Sequence, residues 1–268
     1  MSLFGRRRGR DAHPPVDISE KRGVRFLHLG GPAVQSAMRI REPWALELEY
    51  TRAMMCFLLL QPEPRDIALI GLGGGSLAKF MHRHLEQSRV TALEINPEVV
   101  AAARAYFMLP PDDARLSVQV GDGAAFVQAH PDSQDVLLVD GYDAERIVEA
   151  LASVTFYEAC AAMLRPGGVA VFNLWGTDTS FPLYFERLGQ VFGQRLLRLP
   201  SERKGNIIVF ACKPPLPALE FAVLAQRARQ LSSALGVEFE DFMFRLRNWN
   251  PVSQSAFQFS CTPRQKRI

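Results

Sequence analysis

Four carboxylates and one glycine run stand where apolar stretches end. "DVLLVDGYD" at 135–143 places Asp140 and Asp143 in an Asp-x-x-Asp spacing directly after an apolar run. Two carboxylates at the mouth of a crevice can hold a cation and accept a proton from it. Glu94 closes "VTALE", and Asp122 and Gly123 lie in "GDG" at 121–123. "IALIGLGGGSLAKF" at 67–80 has four glycines in five positions, then Ser76. Glycine lets a backbone turn sharply and lets a ligand lie against it. A helix starting just after such a loop turns free N–H groups toward that ligand. Gly71, Gly73 and Gly75 spell GxGxG, but the dinucleotide fingerprint wants glycine at 76 and finds serine. No Lys or Arg precedes Lys79 in the loop, which speaks against a diphosphate ligand.

These residues need elements to position them, and from residue 66 the chain alternates. "DIALIGLG", "RVTALEIN", "RLSVQVGDG", "DVLLVDGYD" and "VAVFNLWG" read as strands. "SLAKFMHRHLEQ", "PEVVAAARAYF", "AAFVQAH" and "TFYEACAAMLR" between them read as helices. That order specifies a parallel sheet with helices on both faces. After another helix, "FPLYFERLGQVFG", come two strands, "QRLLRLP" and "GNIIVFACK". The four residues between them are too few for a helical crossover, so they pair antiparallel. Ahead of the core, residues 24–42 read as a hairpin around Gly30-Gly31-Pro32, and 44–61 as one buried helix. The division expected is a basic, irregular terminus over 1–22, a hairpin and helix over 23–62, the core over 63–213, and a helical extension over 214–268.

Composition bounds the classes. The chain has 268 residues, 48% hydrophobic and 22% charged, ordinary values for a globular protein with a full core. A net charge of +3 argues neither for nor against a polyanionic partner. "GRRRGR" at 5–10 is expected to be solvated terminus rather than a nucleic-acid arm. Residues 1–22 hold no apolar stretch, so no secretory leader is expected. No apolar run has membrane length. Cys56, Cys160, Cys212 and Cys261 are too scattered for a metal site or a disulfide framework. Histidines 13, 28, 82, 84 and 130 do not join them, so no metal is expected. Buried thiols suit a reducing, cytoplasmic setting.

A parallel sheet closed by an antiparallel hairpin resembles the class I AdoMet-dependent methyltransferase fold, Rossmann-like and seven-stranded. Over residues 24–213, "IGLGGGSLAKF", "VTALEINPEVV", "VQVGDGAAFV", "DVLLVDGYD" and "FYEACAAMLRPGGVAVF" resemble the spermidine and spermine synthases, the polyamine aminopropyltransferases. The resemblance implies transfer of the aminopropyl group of decarboxylated AdoMet to an amine such as putrescine. It implies Asp140 as general base, near the donor as well, and Asp143 as anchor of the far amine. Glu94 and Asp122, with Gly123, would hold the nucleoside. Gln35 and Tyr50 would line the joint pocket, Tyr142 would add an aromatic group to the amine site, and Asn173 stands where the family usually has Gln. A homodimer through the N-terminal helix and hairpin is expected on the same ground.

The chain departs from the family at Ser76, where the family's loop carries Asp, and at "DGYDA" in place of "DSSDP". A neutral serine there suits the carboxylate of intact AdoMet too, so a methyltransferase acting on a small nucleophile stays open. So does a non-catalytic nucleoside-binding relative. Asp122 has a second reading as the cap of the next helix.

Overall fold

The computed structural model describes residues 13–143, 146–147, 149–202, 205–216 and 219–259, with the backbone alone at 142, 143, 146, 147 and 149. The arginines of the N-terminal run and Cys261 lie outside the described residues. Three antiparallel strands come first: β1 (Val16–Lys21), β2 (Val24–Leu29) and β3 (Val34–Arg39). β1 falls where the sequence suggests an irregular terminus. A tight turn explains it: Arg22 and Gly23 both have positive φ, 53° and 75°. Two such residues give a turn whose twist matches that of its strands. Val16 and Ile18 then pack on a small cluster of Leu27, Met38, Ala102 and Phe107.

The helix expected over 44–61 is two short ones, α1 (Glu49–Met54) and α2 (Phe57–Leu60). Between them Met55 and Cys56 have ψ of −9° and −7°. Their N–H groups bond three residues back, to Arg52 and Ala53. That tightened turn carries no glycine or proline to mark it in sequence.

The core then follows the expected alternation. Its first half is β4 (Asp66–Ile70), α3 (Ser76–His84), β5 (Arg89–Glu94), α4 (Pro97–Tyr106), β6 (Leu116–Val120), α5 (Gly123–Ala129) and β7 (Gln134–Val139). Two-residue strands β8 (Tyr142–Asp143) and β9 (Arg146–Ile147) pair after it. Then come α6 (Val154–Met163), β10 (Leu164–Trp175), α7 (Phe181–Val191), β11 (Leu196–Pro200) and β12 (Asn206–Cys212). Helices α8 (Phe221–Leu235) and α9 (Phe239–Trp249) follow the sheet.

Strand order is β11-β12-β10-β7-β4-β5-β6. β10, β7, β4, β5 and β6 run parallel, and β12 is antiparallel to both of its neighbours. This is the seven-stranded sheet with an antiparallel closing hairpin that the alternation specifies. Its middle strands are apolar on both faces. Ile67 and Leu69 pack with α1, α2, α3, α8 and α9, while Ala68 and Ile70 pack with α6 and α7. The chain leaves β4 toward β5 on one side and returns to β7 on the other. A crevice opens outside the strand ends at such a switch point. Residues 53–60 are all buried in this core. The apolar helix on which a dimer was expected therefore spends that surface inside its own chain.

Lys79, on the inner face of α3, is fully buried. Its Nζ donates to Phe107 O at 2.7 Å and lies 3.1 Å from Met38 Sδ. It thereby ties α3 to the end of α4 and to β3. No carboxylate among the described residues pairs with it, and burial lowers its pKa from 10.5 to about 8. That shift corresponds to about 3 kcal/mol against keeping the charge. Between those values the unfolded chain holds a proton that the folded chain releases, so stability rises with pH across the window. Lys79→Met is expected to lose that rise. Urea unfolding of wild type and variant at about pH 8 and about pH 10 measures it. An equal rise in both proteins contradicts the assignment.

Candidate active site

The glycine loop is built by close approach. Gly71 has φ +91°, and a Cβ there would lie 2.2 Å from the backbone oxygen of Asp140. Only glycine lets the ends of β4 and β7 abut so closely. Gly75, in the left-handed region at φ +73°, precedes α3, and Ser76 is the first helical residue. The Ser76 side chain is buried, with Oγ 3.4 Å from Ser36 Oγ on β3. A Cβ on Gly74 would sit 2.8 Å from that same Ser36 oxygen. The N-terminal sheet therefore forms one wall of the loop. Sequence reasoning missed Ser36, because nothing in a span of 40 residues signals that it meets Ser76.

Glu94, at the end of β5, accepts Leu72 N–H on Oε2 and Asn96 N–H on Oε1, both at 3.0 Å. These bonds fix its carboxylate beside the glycine loop, and each oxygen has lone pairs to spare. Asp122 is exposed, and its Oδ1 accepts Ala124 N–H at 2.8 Å to cap α5, whose first residue is Gly123. The capping reading of Asp122 is thus realised. Exposed Ile95 and Val120 flank this region, at 58% and 55% of full exposure. Val120 pairs with Glu94 in the sheet, and Ile95 follows it. Sequence reasoning did not single out this apolar pair. Its signal was present: two large apolar residues adjoining the polar strand ends.

Asp140 follows β7 and is partly buried. Its Oδ1 accepts Asn173 Nδ2 at 2.8 Å, and its Oδ2 accepts the Tyr50 hydroxyl at 3.1 Å. Burial drives the Asp140 pKa upward. The two donors oppose that shift, the nearby Glu94 charge adds to it, and the net direction is up. Tyr50 is pushed well above the usual phenol value, first by burial and then by Asp140, so it stays a proton donor. Asn173, where the family usually has Gln, is buried beside Asp140, with its amide used on Asp140 and on Asn206, whose Nδ2 donates to Asn173 Oδ1 at 2.9 Å.

Gln35 is half-buried on β3, and its backbone oxygen lies 3.5 Å from the Tyr50 hydroxyl. Tyr142 and Asp143 form β8 next in the chain, and their side chains lie outside the described residues. The C-terminal extension reaches the site through α1. Arg245 Nη1 binds Glu49 at 3.0 Å, and Arg52 Nε binds Glu238 at 2.8 Å. Residues 49 and 52 bracket Tyr50, so α9 and the residue before it hold the helix that delivers the phenol.

Residues 47–175 match the spermine/spermidine synthase domain. A polyamine aminopropyltransferase of Chromobacterium violaceum is 41% identical over 240 residues, 90% of this chain and 92% of that protein. The chain belongs to the spermine/spermidine synthase family, a family of transferases. A second relative, the polyamine aminopropyltransferase of Neisseria meningitidis, is 39% identical over 94% of this chain and 96% of its own. The crystal structure of a probable spermidine synthase from Corynebacterium glutamicum shares the fold. Its TM-score is 0.69 at 19% identity, over 94% of this chain and 95% of that one.

The Tyr50 bond sets an expectation within this family site. A hydrogen bond to a carboxylate is worth about 1.5 kcal/mol or more, roughly one pH unit. Tyr50→Phe removes a donor that favours the ionised form. The acid limb of kcat/KM should therefore move up by about one unit. An unmoved limb would show that Asp140 is not the group titrating there.

Proposed function

We propose that the chain transfers the aminopropyl group of decarboxylated AdoMet to a diamine of the putrescine kind, with Asp140 as general base. The observation that carries this reading is the Asp140 carboxylate, held by Tyr50 and Asn173 at the strand end where the Asp140 backbone abuts Gly71.

The amine arrives as an ammonium ion and attacks only after losing a proton. A carboxylate whose pKa is raised is a stronger base than one in water, and Asp140 is raised. The amine lone pair then forms a bond to the methylene beside sulfur. The carbon–sulfur bond breaks, and its electron pair stays on sulfur. The products are the extended amine and methylthioadenosine. Sulfonium is already a good leaving group, so alignment supplies much of the rate.

Glu94, held by two backbone N–H groups, is suited to both ribose hydroxyls. Ile95 and Val120 offer flat apolar contact to the adenine, with Asp122 at the ring edge while it also caps α5. Gln35, Gly71, Gly73, Gly75 and Ser76 frame the sulfonium end, and the neutral Ser76 leaves room for either donor tail. Asp143, with Tyr142 beside it, receives the far ammonium group of the diamine. The reaction is placed in the cytoplasm, where the free, buried Cys56, Cys160 and Cys212 stay reduced. Any homodimer would use the β1–β3 sheet, and no nucleic acid or membrane takes part.

Asp140→Asn is the test. It keeps the shape and removes the base, so methylthioadenosine release from decarboxylated AdoMet and putrescine should fall about 100-fold or more. Stability should move the other way. A raised carboxyl pKa means that ionised Asp140 destabilises the folded chain once pH climbs through the window between 3.8 and its folded value. The variant should be more stable than wild type at neutral pH, with the gain fading toward acid. Wild-type turnover in the variant would overturn the proposal.

A further inference from the structure

A row of three polar side chains crosses the sheet at the strand ends. Asp140 follows Val139, and Val139 pairs with Phe172, so Asp140 and Asn173 stand side by side. Asn173 pairs with Ile208, and Asn206 lies two residues along β12 on the same face. Asn173 and Asn206 are both buried, with mostly apolar strand residues around them. Their bonds run in one direction, Asn206 Nδ2 to Asn173 Oδ1 at 2.9 Å and Asn173 Nδ2 to Asp140 Oδ1 at 2.8 Å.

An ionised carboxylate only accepts, so the Asn173 atom facing it must be the amide nitrogen. The Asn173 oxygen then points away and needs a donor. Without one, that amide could turn over and set an oxygen against the carboxylate, an arrangement tolerated only when Asp140 carries a proton.

We propose that Asn206 is a positioning residue: it locks the amide of Asn173 in the orientation that donates to Asp140, and so keeps Asp140 available as an ionised base. The role in catalysis rests on the reading of Asp140 as the base, while the lock itself does not. The other groups facing Asp140 are the Tyr50 hydroxyl from α1 and the Glu94 carboxylate from the end of β5. Neither touches Asn206, and the Asp143 side chain lies outside the described residues.

The role is invisible without strand register. Asn206 is 33 residues from Asn173 and on the one core strand that runs antiparallel to both neighbours. It also gives the closing hairpin a part in the chemistry, because β12 supplies the lock.

The test is a double-mutant cycle read by the titration of the Asp140 carboxyl. Carbon-13 NMR of aspartate-labelled protein follows that carboxyl, with Asp140→Asn assigning the signal. Wild type, Asn206→Leu, Asn173→Leu and the double variant are compared, and the acid limb of kcat/KM is recorded beside the NMR midpoint. Asn206→Ala repeats the test with a smaller side chain should leucine prevent folding.

Asn206→Leu should raise the midpoint by about half a unit or more, the share of a charged hydrogen bond lost when its donor is free to turn. In the Asn173→Leu background it should add nothing. An unmoved midpoint in Asn206→Leu and Asn206→Ala, or a shift that adds in full to that of Asn173→Leu, overturns the proposal. Should Asp140→Asn keep full turnover, the base reading fails. The NMR cycle would still decide the lock.

Discussion

A partly buried carboxylate needs donors, and the donors of Asp140 govern much of the arrangement around it. One bond comes from Tyr50 and one from Asn173, neither of which carries a charge. The carboxylate is steadied without being neutralised. β7 supplies its own contrast. At the other end of the strand, Asp135 is also partly buried, which by itself raises its pKa. Backbone N–H groups of Asp66 and Arg65, together with Arg165, outweigh that and pull it below the usual value. Asp135 is a fixed anion that ties segments together, whereas Asp140 is left as a base.

Each donor makes a demand on the chain. Tyr50 must come from α1, which is pinned on either side by Arg245 and Glu238 of the C-terminal extension. Asn173 must stand in register beside Asp140, which places β10 next to β7. The glycine loop must press against the Asp140 backbone, and its other wall is β3 with Ser36. Lys79 anchors that wall from below by joining α3, α4 and β3. The N-terminal sheet and the C-terminal helices both act on the strand ends of the core, although neither belongs to its sheet.

Much of this was legible in the sequence. The core alternation shows because turn residues punctuate it and because parallel strands are apolar on both faces. Asp140, Glu94 and the glycines show because their polarity breaks apolar runs. β1 was missed because a strand of mostly exposed polar residues at a sheet edge has little pattern. The break between α1 and α2 was missed because ordinary helical residues make a tightened turn there. Ser36 and Asn206 were missed for a third reason. Each acts across a distance set by tertiary packing, and polarity alone does not say which polar residue meets which. Asn173 was found at the right strand end, but its direction was not, because only the position of Asn206 fixes it.

The most direct measurement offers the protein decarboxylated AdoMet and intact AdoMet together with putrescine, and identifies products by mass. Methylthioadenosine together with an amine extended by an aminopropyl group is the result this account predicts. S-adenosylhomocysteine with a methylated amine would contradict it, and would mean that the neutral Ser76 had changed which group the site transfers.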